Sequence, residues 1–197
     1  MKQTKVIGVI GGAGCGKSEL LKIFKEKYKA MIIMADDVAR DLSMPGGKSY
    51  GRIVDAFGRD ILDPDGTIDR KKLAELVFND KDALARLNGI VHPDVREEIE
   101  ARIGEGSSRG VPYIILEAAL LVECGYRSIC DEFWYVHALE SVRRERMKTT
   151  RNYTDEKIDA IIRNQLSEEE FFKNCDKVIE NNATIEALEK EIEKNLG

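Results

Sequence analysis

A glycine-rich segment at residues 11–18 constrains this chain more than any other feature of its sequence. The segment reads GGAGCGKS and so meets the pattern G-x-x-x-x-G-K-[ST]. An apolar run precedes it and a helical pattern follows it, which gives the order strand, loop and helix. In that context the backbone N–H groups of the loop point inward and bind phosphate oxygens. The sequence therefore predicts a nucleotide-binding α/β protein.

The residue types of this phosphate loop each have a physical reason. Glycines permit left-handed dihedrals and let phosphate approach the backbone closely, which a Cβ would prevent. The helix that begins near Lys17 adds the positive end of its dipole. Lys17 can reach the β and γ phosphates, and the Ser18 hydroxyl can ligate Mg²⁺.

Composition narrows the classes of protein to which the chain can belong. With 197 residues and 43% hydrophobic content, we expect one domain over residues 1–197 with a sizeable insertion. The net charge of −5 argues against a nucleic-acid partner. Four cysteines without a C-x-x-C pair, no signal peptide and no bilayer-length apolar run predict a reduced, cytoplasmic protein without a membrane partner.

Hydrophobic patterning predicts a three-layer α/β/α fold with a five-stranded parallel sheet. The predicted strands are residues 5–10, 30–34, 112–117, 132–136 and 178–179. The predicted helices are residues 17–28, 38–42, 49–57, 69–78, 81–103, 153–172 and 184–196, with turns at 46–47 and 63–66 and a loop at 105–110. Because proline lacks the helical N–H, we expect an interruption of helix 81–103 near Pro93. The core is then about 1–36 and 111–197, and the helical insertion, suited to an acceptor substrate, is about 37–110.

Acidic residues follow two of these strands. Asp36 and Asp37 come directly after the second strand, at the sheet edge where open α/β sheets bind ligands. Either acid could instead cap the following helix, and we expect one to cap it while the other faces the cleft. Glu117 ends the third strand, where an acid would hold Mg²⁺ or its water shell.

A basic segment at residues 143–151 has five arginines and lysines among nine residues. One interpretation is the solvated end of a helix, where cations also suit the dipole. The other is an arginine-bearing lid at about residues 143–154 that closes over a phosphoryl group. With the loop, sheet and insertion, these features indicate an α/β phosphotransferase.

Motifs over nearly the whole chain resemble those of the dephospho-CoA kinase family. They are the phosphate loop, x-Ala-Asp-x-x-Ala-Arg at residues 34–40, Asp-Gly-x-Ile-Asp-Arg at 65–70, Leu-Asn-x-x-x-His-Pro at 87–93, Leu-Leu-Val-Glu at 120–123 and Asp-x-Val-Ile-x-Asn at 176–181. The chain departs from the family pattern at Met34, at Glu19 and at Ala119. The resemblance implies a P-loop kinase fold and transfer of the ATP γ-phosphoryl group to the ribose 3′-hydroxyl of dephospho-CoA, the last step of coenzyme A synthesis.

The resemblance also implies roles for individual residues and a Mg²⁺ cofactor alongside ATP, in a monomer or weak homo-oligomer. The expected catalytic residues are Asp36 as the base, Lys17, and the lid arginines Arg144, Arg146 and Arg151. The expected ATP-binding residues are Gly12, Ala13, Gly14, Cys15, Gly16, Lys17, Ser18, Glu19 and Asn181, with residues 176–181 beside the adenine. The expected acceptor-binding residues are Arg40, His92, Arg96 and Glu123, and the expected metal ligands are Ser18 and Glu117.

Two other functions compete with this one. A kinase for another small acceptor, such as a nucleoside monophosphate, shares every element except the acceptor motifs. A GTP-dependent switch needs a guanine-reading Asn-Lys-x-Asp motif, and residues 79–82 have the wrong order and no preceding strand.

Overall fold

The computed structural model of the chain describes residues 4–78, 80–118, 121–122 and 125–197. In these ranges five strands form a parallel sheet in the order β2-β3-β1-β4-β5. The strands are β1 (Lys5–Ile10), β2 (Met31–Met34), β3 (Tyr113–Glu117), β4 (Glu132–His137) and β5 (Lys177–Glu180). The five-stranded parallel sheet predicted from the apolar runs is thus confirmed.

Helices account for most of the remaining described residues. They are α1 (Lys17–Lys27), α2 (Ala35–Leu42), α3 (Tyr50–Phe57), α4 (Arg70–Phe78), α5 (Lys81–Ser108), α6 (Glu140–Arg151), α7 (Asp155–Arg163), α8 (Glu168–Lys173) and α9 (Ile185–Leu196). None of the described helices has the length and apolar character needed to cross a bilayer.

The central strands of the sheet are buried on both faces. On one face Ile7 and Val9 of β1 and Trp134 of β4 form a cluster with side chains from α1 and α9, including Phe24 and Leu188. On the other face, a Cβ at Gly8 would lie 2.7 Å from the Phe133 ring, and one at Gly106 of α5 would lie 2.9 Å from Ile114. Helices therefore pack against both faces, as the continuous apolar runs of parallel strands require.

Helix α5 continues through Pro93, so the predicted interruption there is wrong. The residues after the proline anchor this turn. Val95 and Ile99 are buried, and the nearly inaccessible carboxylate of Asp94 accepts a 2.7 Å hydrogen bond from Ser49 Oγ. These contacts compensate for the helical hydrogen bond that is lost because proline has no N–H. The helix also extends to Ser108, which corrects the loop predicted at residues 105–110.

The predicted helix at residues 153–172 is two helices, α7 and α8, with a break between them. Asn164 closes α7, and Ser167 opens α8 with a capping box in which Ser167 Oγ accepts the N–H of Glu170. Reciprocal bonds of this kind satisfy N–H groups that a continuous helix would use internally. The break places the side chain of Gln165 in a short connection rather than on a helix face.

Two compact units make up the chain. One contains the residues up to Ile33 together with Glu105–Gly197, and the other is Met34–Gly104. The second unit has its own apolar cluster of Ile53, Ile61, Leu73 and Val77. Its predicted turn at residues 63–66 is present, since the Gly66 N–H donates to the Asp63 carbonyl at 2.9 Å and Gly66 has a φ of 83°.

Candidate active site

The phosphate loop connects β1 directly to α1. Gly16 precedes the first residue of α1 with a φ of 96°, a left-handed conformation that glycine adopts without strain. A Cβ on Gly16 would also collide with Asn181 Nδ2, so the asparagine side chain would have to move. The first turn of α1 therefore begins at the loop, with Lys17 as the first helical residue.

Lys17 lies between the loop and the carboxylate of β3. Its Nζ donates to the Gly11 carbonyl at 2.7 Å and lies 3.7 Å from Glu117 Oε1. Both side chains are mostly buried, at 21% and 12% exposure. Sheet order explains this arrangement, because β3 is next to β1 and Glu117 is in register with Val9, just before the loop. Two predicted site residues from distant parts of the sequence are thus brought together.

Cys15 lies inside the loop with its side chain almost fully buried. Burial raises the pKa of its thiol, and the nearby positive charge of Lys17 opposes that shift only in part. Burial therefore favours the neutral thiol, which is a poorer nucleophile than the thiolate. Cys15 contributes to the loop through its backbone and its packing.

Asn181 and Arg146 bind carbonyl oxygens of the phosphate loop. The buried Asn181 Nδ2 donates to the Cys15 carbonyl at 2.8 Å. Arg146 reaches the Cys15 and Gly14 carbonyls at 3.3 and 3.5 Å, and Asn181 Oδ1 at 3.5 Å. These bonds satisfy loop carbonyls and help to hold the backbone of the loop in place.

The three predicted lid arginines lie on α6 but have different surroundings. Arg144 lies among carboxylates: the distances from its guanidinium nitrogens to carboxylate oxygens are 2.7 Å for Glu140, 2.5 Å for Asp159 and 3.9 Å for Asp155. Its bonds to Glu140 and Asp159 raise the pKa of its guanidinium. Arg151 ends α6, with its guanidinium carbon 6.0 Å from the Tyr153 ring centre. Of these three arginines, Arg146 is the one that the structure connects to the loop.

Asp176, at the start of the segment predicted beside the adenine, has partners within the fold. Its carboxylate is bound by both terminal nitrogens of Arg127 and accepts the Phe133 N–H at 2.6 Å. These bonds lower the pKa of the Asp176 carboxyl. The arrangement fastens the chain at the start of β5 to β4.

In the unit formed by Met34–Gly104, a groove of about 290 Å³ has Asp36 in its wall. Its other lining residues are Ala39, Arg40, Ser43, Met44, Ile68, Arg70 and Leu73. Arg40 lies 2.7 Å from Asp37 and 3.8 Å from Asp41. One exposed carboxylate and two arginines in a small groove suit a polar, anionic ligand.

The prediction that Asp36 or Asp37 caps the second helix is wrong. Met34 occupies the cap position without a side-chain bond, and both acids lie within the first turn of α2. Carboxylates in a first turn still interact favourably with the helix dipole. The helix starts earlier than predicted because Ala35 continues directly from β2.

The other predicted acceptor residues lie elsewhere. His92 and Arg96 are on α5, where Arg96 Nε donates to Glu100 at 2.9 Å, and neither is among the described residues that line the groove. Glu123 lies outside the described residues. Glu19 is in the first turn of α1, with its carboxylate 3.9 Å from Lys22 Nζ.

The model of the dephospho-CoA kinase (CoaE) family matches residues 5–187 of the chain. The match begins with β1 and includes the phosphate loop, Asp36, α6 and Asn181. The chain belongs to the dephospho-CoA kinase family.

Relatives and solved structures agree with that assignment. The chain is 39% identical to the dephospho-CoA kinase of Carboxydothermus hydrogenoformans over 95% of its length and 90% of that protein. It is 38% identical to that of Geobacter sulfurreducens, covering 96% and 95%. A crystal structure of TT1252 from Thermus thermophilus is similar with a TM-score of 0.81 at 27% identity, covering 99% of this chain and 97% of that one.

More distant structures share the fold. The dephospho-CoA kinase of Campylobacter jejuni matches with a TM-score of 0.65 at 23% identity, covering 98% of this chain and 96% of that one. A shikimate kinase from Bacteroides thetaiotaomicron matches with a TM-score of 0.56 at 15% identity, and each chain is covered to 98%. The predicted family, the P-loop kinase fold and a kinase function are confirmed, and the alternative of another acceptor is not favoured.

Arg143 and Gln165 also contact the phosphate loop, although neither was among the individually predicted site residues; Arg143 was included only as part of the basic segment. Arg143 Nε donates to the Ala13 carbonyl at 2.9 Å, and Gln165 Oε1 accepts the Ala13 N–H at 3.0 Å. The sequence analysis missed Gln165 because it predicted one continuous helix over residues 153–172. The S-x-x-E capping box at Ser167 and Glu170 was the signal for a break just after Gln165.

Proposed function

We propose that this kinase uses ATP to phosphorylate the ribose 3′-hydroxyl of dephospho-CoA, giving coenzyme A and ADP. Membership of the family, over nearly the whole chain, is the observation that carries this proposal. The phosphate loop supports it, because Lys17 and the loop N–H groups lie where a triphosphate would find positive charge and donors. The groove with Asp36, Arg40 and Arg70 supports a role for residues 37–110 in binding the acceptor.

In this proposal positioning and electrostatics supply most of the catalysis. The transition state of phosphoryl transfer spreads negative charge over the equatorial oxygens of the transferred group. Lys17, the loop N–H groups and Arg146 would stabilise that charge, with residues 143–154 acting as the lid. As the new O–P bond forms and the bond to the leaving ADP breaks, Asp36 would accept the proton of the 3′-hydroxyl.

We propose Mg²⁺ as the cofactor, held by Ser18 and Glu117. A hydroxyl and a carboxylate are ligands that this ion accepts, and it takes its remaining ligands from water and substrate phosphates. Among the described residues no group of three or more acidic, histidine or cysteine side chains forms a metal cluster. When bound, Mg²⁺ neutralises charge on the phosphates.

We further propose that the protein works in the reducing environment of the cytoplasm. Cys15, Cys130 and Cys175 have free thiols, and burial raises the pKa of Cys130 to about 12. Burial of this kind favours the neutral thiol, which is less reactive than the thiolate.

Measurement of ADP release with several acceptors tests the proposed reaction. Dephospho-CoA should give a kcat/KM at least about a hundredfold above those of AMP, adenosine and phosphopantetheine, because a site built to bind a substrate rejects analogues that leave its polar groups unpaired. Phosphorus NMR of the product should show a new 3′-phosphomonoester. Faster turnover with AMP would contradict the proposal.

A further inference from the structure

The side chain of Gln165 bridges the break between α7 and α8 and the phosphate loop. Its Oε1 accepts two hydrogen bonds, one from the Ala13 N–H at 3.0 Å and one from Arg143 Nη2 at 3.1 Å. Gln165 is half-buried, and 152 residues of chain separate it from Ala13. A contact between such distant segments is specified by the tertiary fold rather than by local structure.

Arg143 closes a ring of hydrogen bonds with the same two residues. Its Nε donates to the Ala13 carbonyl at 2.9 Å, so the peptide groups on both sides of Ala13 are held by side chains. The backbone of Arg143 also lies against the loop, since a Cβ on Gly14 would be 2.7 Å from the Arg143 carbonyl oxygen. A Cβ on Gly12 would collide with the Arg143 guanidinium. Arg143 therefore packs along the loop from Gly12 to Gly14.

In the described part of the chain, Arg143 has no ion pair with a carboxylate. It bonds to a backbone carbonyl and to a neutral amide oxygen, whereas the adjacent Arg144 is surrounded by three carboxylates. An arginine held by neutral acceptors keeps its full positive potential for an anion nearby. A glutamine at residue 165 provides the oxygen that orients the guanidinium without neutralising it.

We propose that Gln165 is a positioning residue for ATP, which fixes Ala13 and the charged Arg143 guanidinium in the arrangement that receives the phosphates. This inference rests on the proposed use of ATP, but not on the identity of the acceptor. It adds to the site a residue from outside the loop and the basic segment. It also distinguishes Arg143, which lies along the loop, from Arg144, which joins α6 to α7.

Gln165→Glu is the most discriminating variant. Glutamate keeps an oxygen that can accept both hydrogen bonds, but it neutralises Arg143 and adds negative charge beside the phosphates. We expect the Kd for ATP, titrated without an acceptor, to rise about tenfold or more. Thermal stability and the KM for dephospho-CoA should stay close to wild type. Lowering the pH toward the pKa of the new carboxyl should restore part of the affinity.

Gln165→Ala and Arg143→Ala test whether the two residues act together. Each should weaken ATP binding several-fold, and the double variant should be little worse than Arg143→Ala, because Gln165 acts through Arg143. Asn164→Ala is the matched control, since it removes an exposed amide from the neighbouring residue, and ATP affinity should be unchanged.

Two outcomes would overturn the proposal. One is wild-type ATP affinity in Gln165→Glu, and the other is an equal increase in KM for both substrates in Gln165→Ala, which indicates a purely structural role. Because ATP binding is titrated without an acceptor, these results are independent of whether dephospho-CoA is the substrate. Failure of the proposed reaction would appear in the acceptor comparison instead.

Discussion

At the scale of single residues, Lys17 is positioned by a hydrogen bond to the loop and by the carboxylate of Glu117. Its Nζ donates a 2.7 Å hydrogen bond to the Gly11 carbonyl, and Lys17 is the first residue of α1. Lys17→Ala should therefore nearly abolish kcat and leave the fold intact, because the variant loses the charge that meets the transferring phosphate. Steady-state rates and thermal unfolding measure the two effects. Lys22→Ala, exposed on the same helix, is the control, and a near-normal kcat in Lys17→Ala would contradict the role of the loop.

Asp36 and Asp37 offer a second test at this scale, because they are neighbours in one helical turn with different surroundings. Asp36 lines the groove, and Asp37 pairs with Arg40 at 2.7 Å. Asp36→Asn keeps the shape of the side chain but removes the proposed proton acceptor, so kcat should fall about a hundredfold or more while ATP binding survives. Rates at saturating substrates and an ATP titration measure both quantities.

Asp37→Asn is the matched control for that experiment. It removes a half-exposed ion pair with Arg40, a kind of contact that contributes little to stability. Most of kcat should remain. If Asp37→Asn is inactive and Asp36→Asn is active, the base is Asp37.

At the scale of elements, α6 carries two arginines, Arg144 and Arg146, that looked equivalent in the sequence but have different partners. Arg146 reaches the loop carbonyls, whereas Arg144 bonds to Glu140 and to Asp159 of α7. Arg146→Ala should lower kcat about tenfold or more and weaken ATP binding, because a charge beside the phosphates is lost. Arg144→Ala should mainly lower the midpoint of thermal unfolding, and less so at high salt, which screens exposed pairs. Loss of kcat in Arg144→Ala alone would contradict this separation.

The elements also show what the sequence could determine. The strands were predictable because a short apolar run bounded by turn residues is typical of a buried strand. Strand β1, for example, lies at the residues predicted for it. Glu117 could be expected near the loop, because parallel strands end at one edge of a sheet. The course of α5 through Pro93 depends on the burial of Val95 and Ile99, which local propensity does not register.

The candidate site likewise contains residues that the sequence predicts and residues that it does not. Lys17 and Asn181 belong to motifs and were expected, whereas the contacts of Arg143 and Gln165 arise from packing between distant segments. No periodicity in the sequence distinguishes Arg143 from Arg144. Only their partners do, namely a loop carbonyl for one and carboxylates for the other.

At the scale of the whole molecule, the described residues form one apolar cluster against the sheet and another in the unit Met34–Gly104. The cluster against the sheet includes Ile179 and Trp134, and the cluster of the unit Met34–Gly104 includes Ile53 and Leu73. Both isoleucines are almost inaccessible to solvent, at 0% and 1% exposure for Ile179 and Ile53. Truncation of a buried isoleucine to alanine costs about 2–5 kcal/mol through lost burial and the cavity left behind.

Ile53→Ala and Ile179→Ala therefore form a matched pair that tests whether each unit has its own stability. In Ile53→Ala we expect faster amide hydrogen exchange in α3 and α4, with β1 and β4 keeping their protection, because local opening follows the contacts that are lost. ATP affinity should be retained while the KM for dephospho-CoA rises. Ile179→Ala should instead speed exchange in β4 and β5 and weaken ATP binding. Equal acceleration over the whole chain in both variants would mean that the two clusters unfold as one cooperative unit, and the prediction would be wrong.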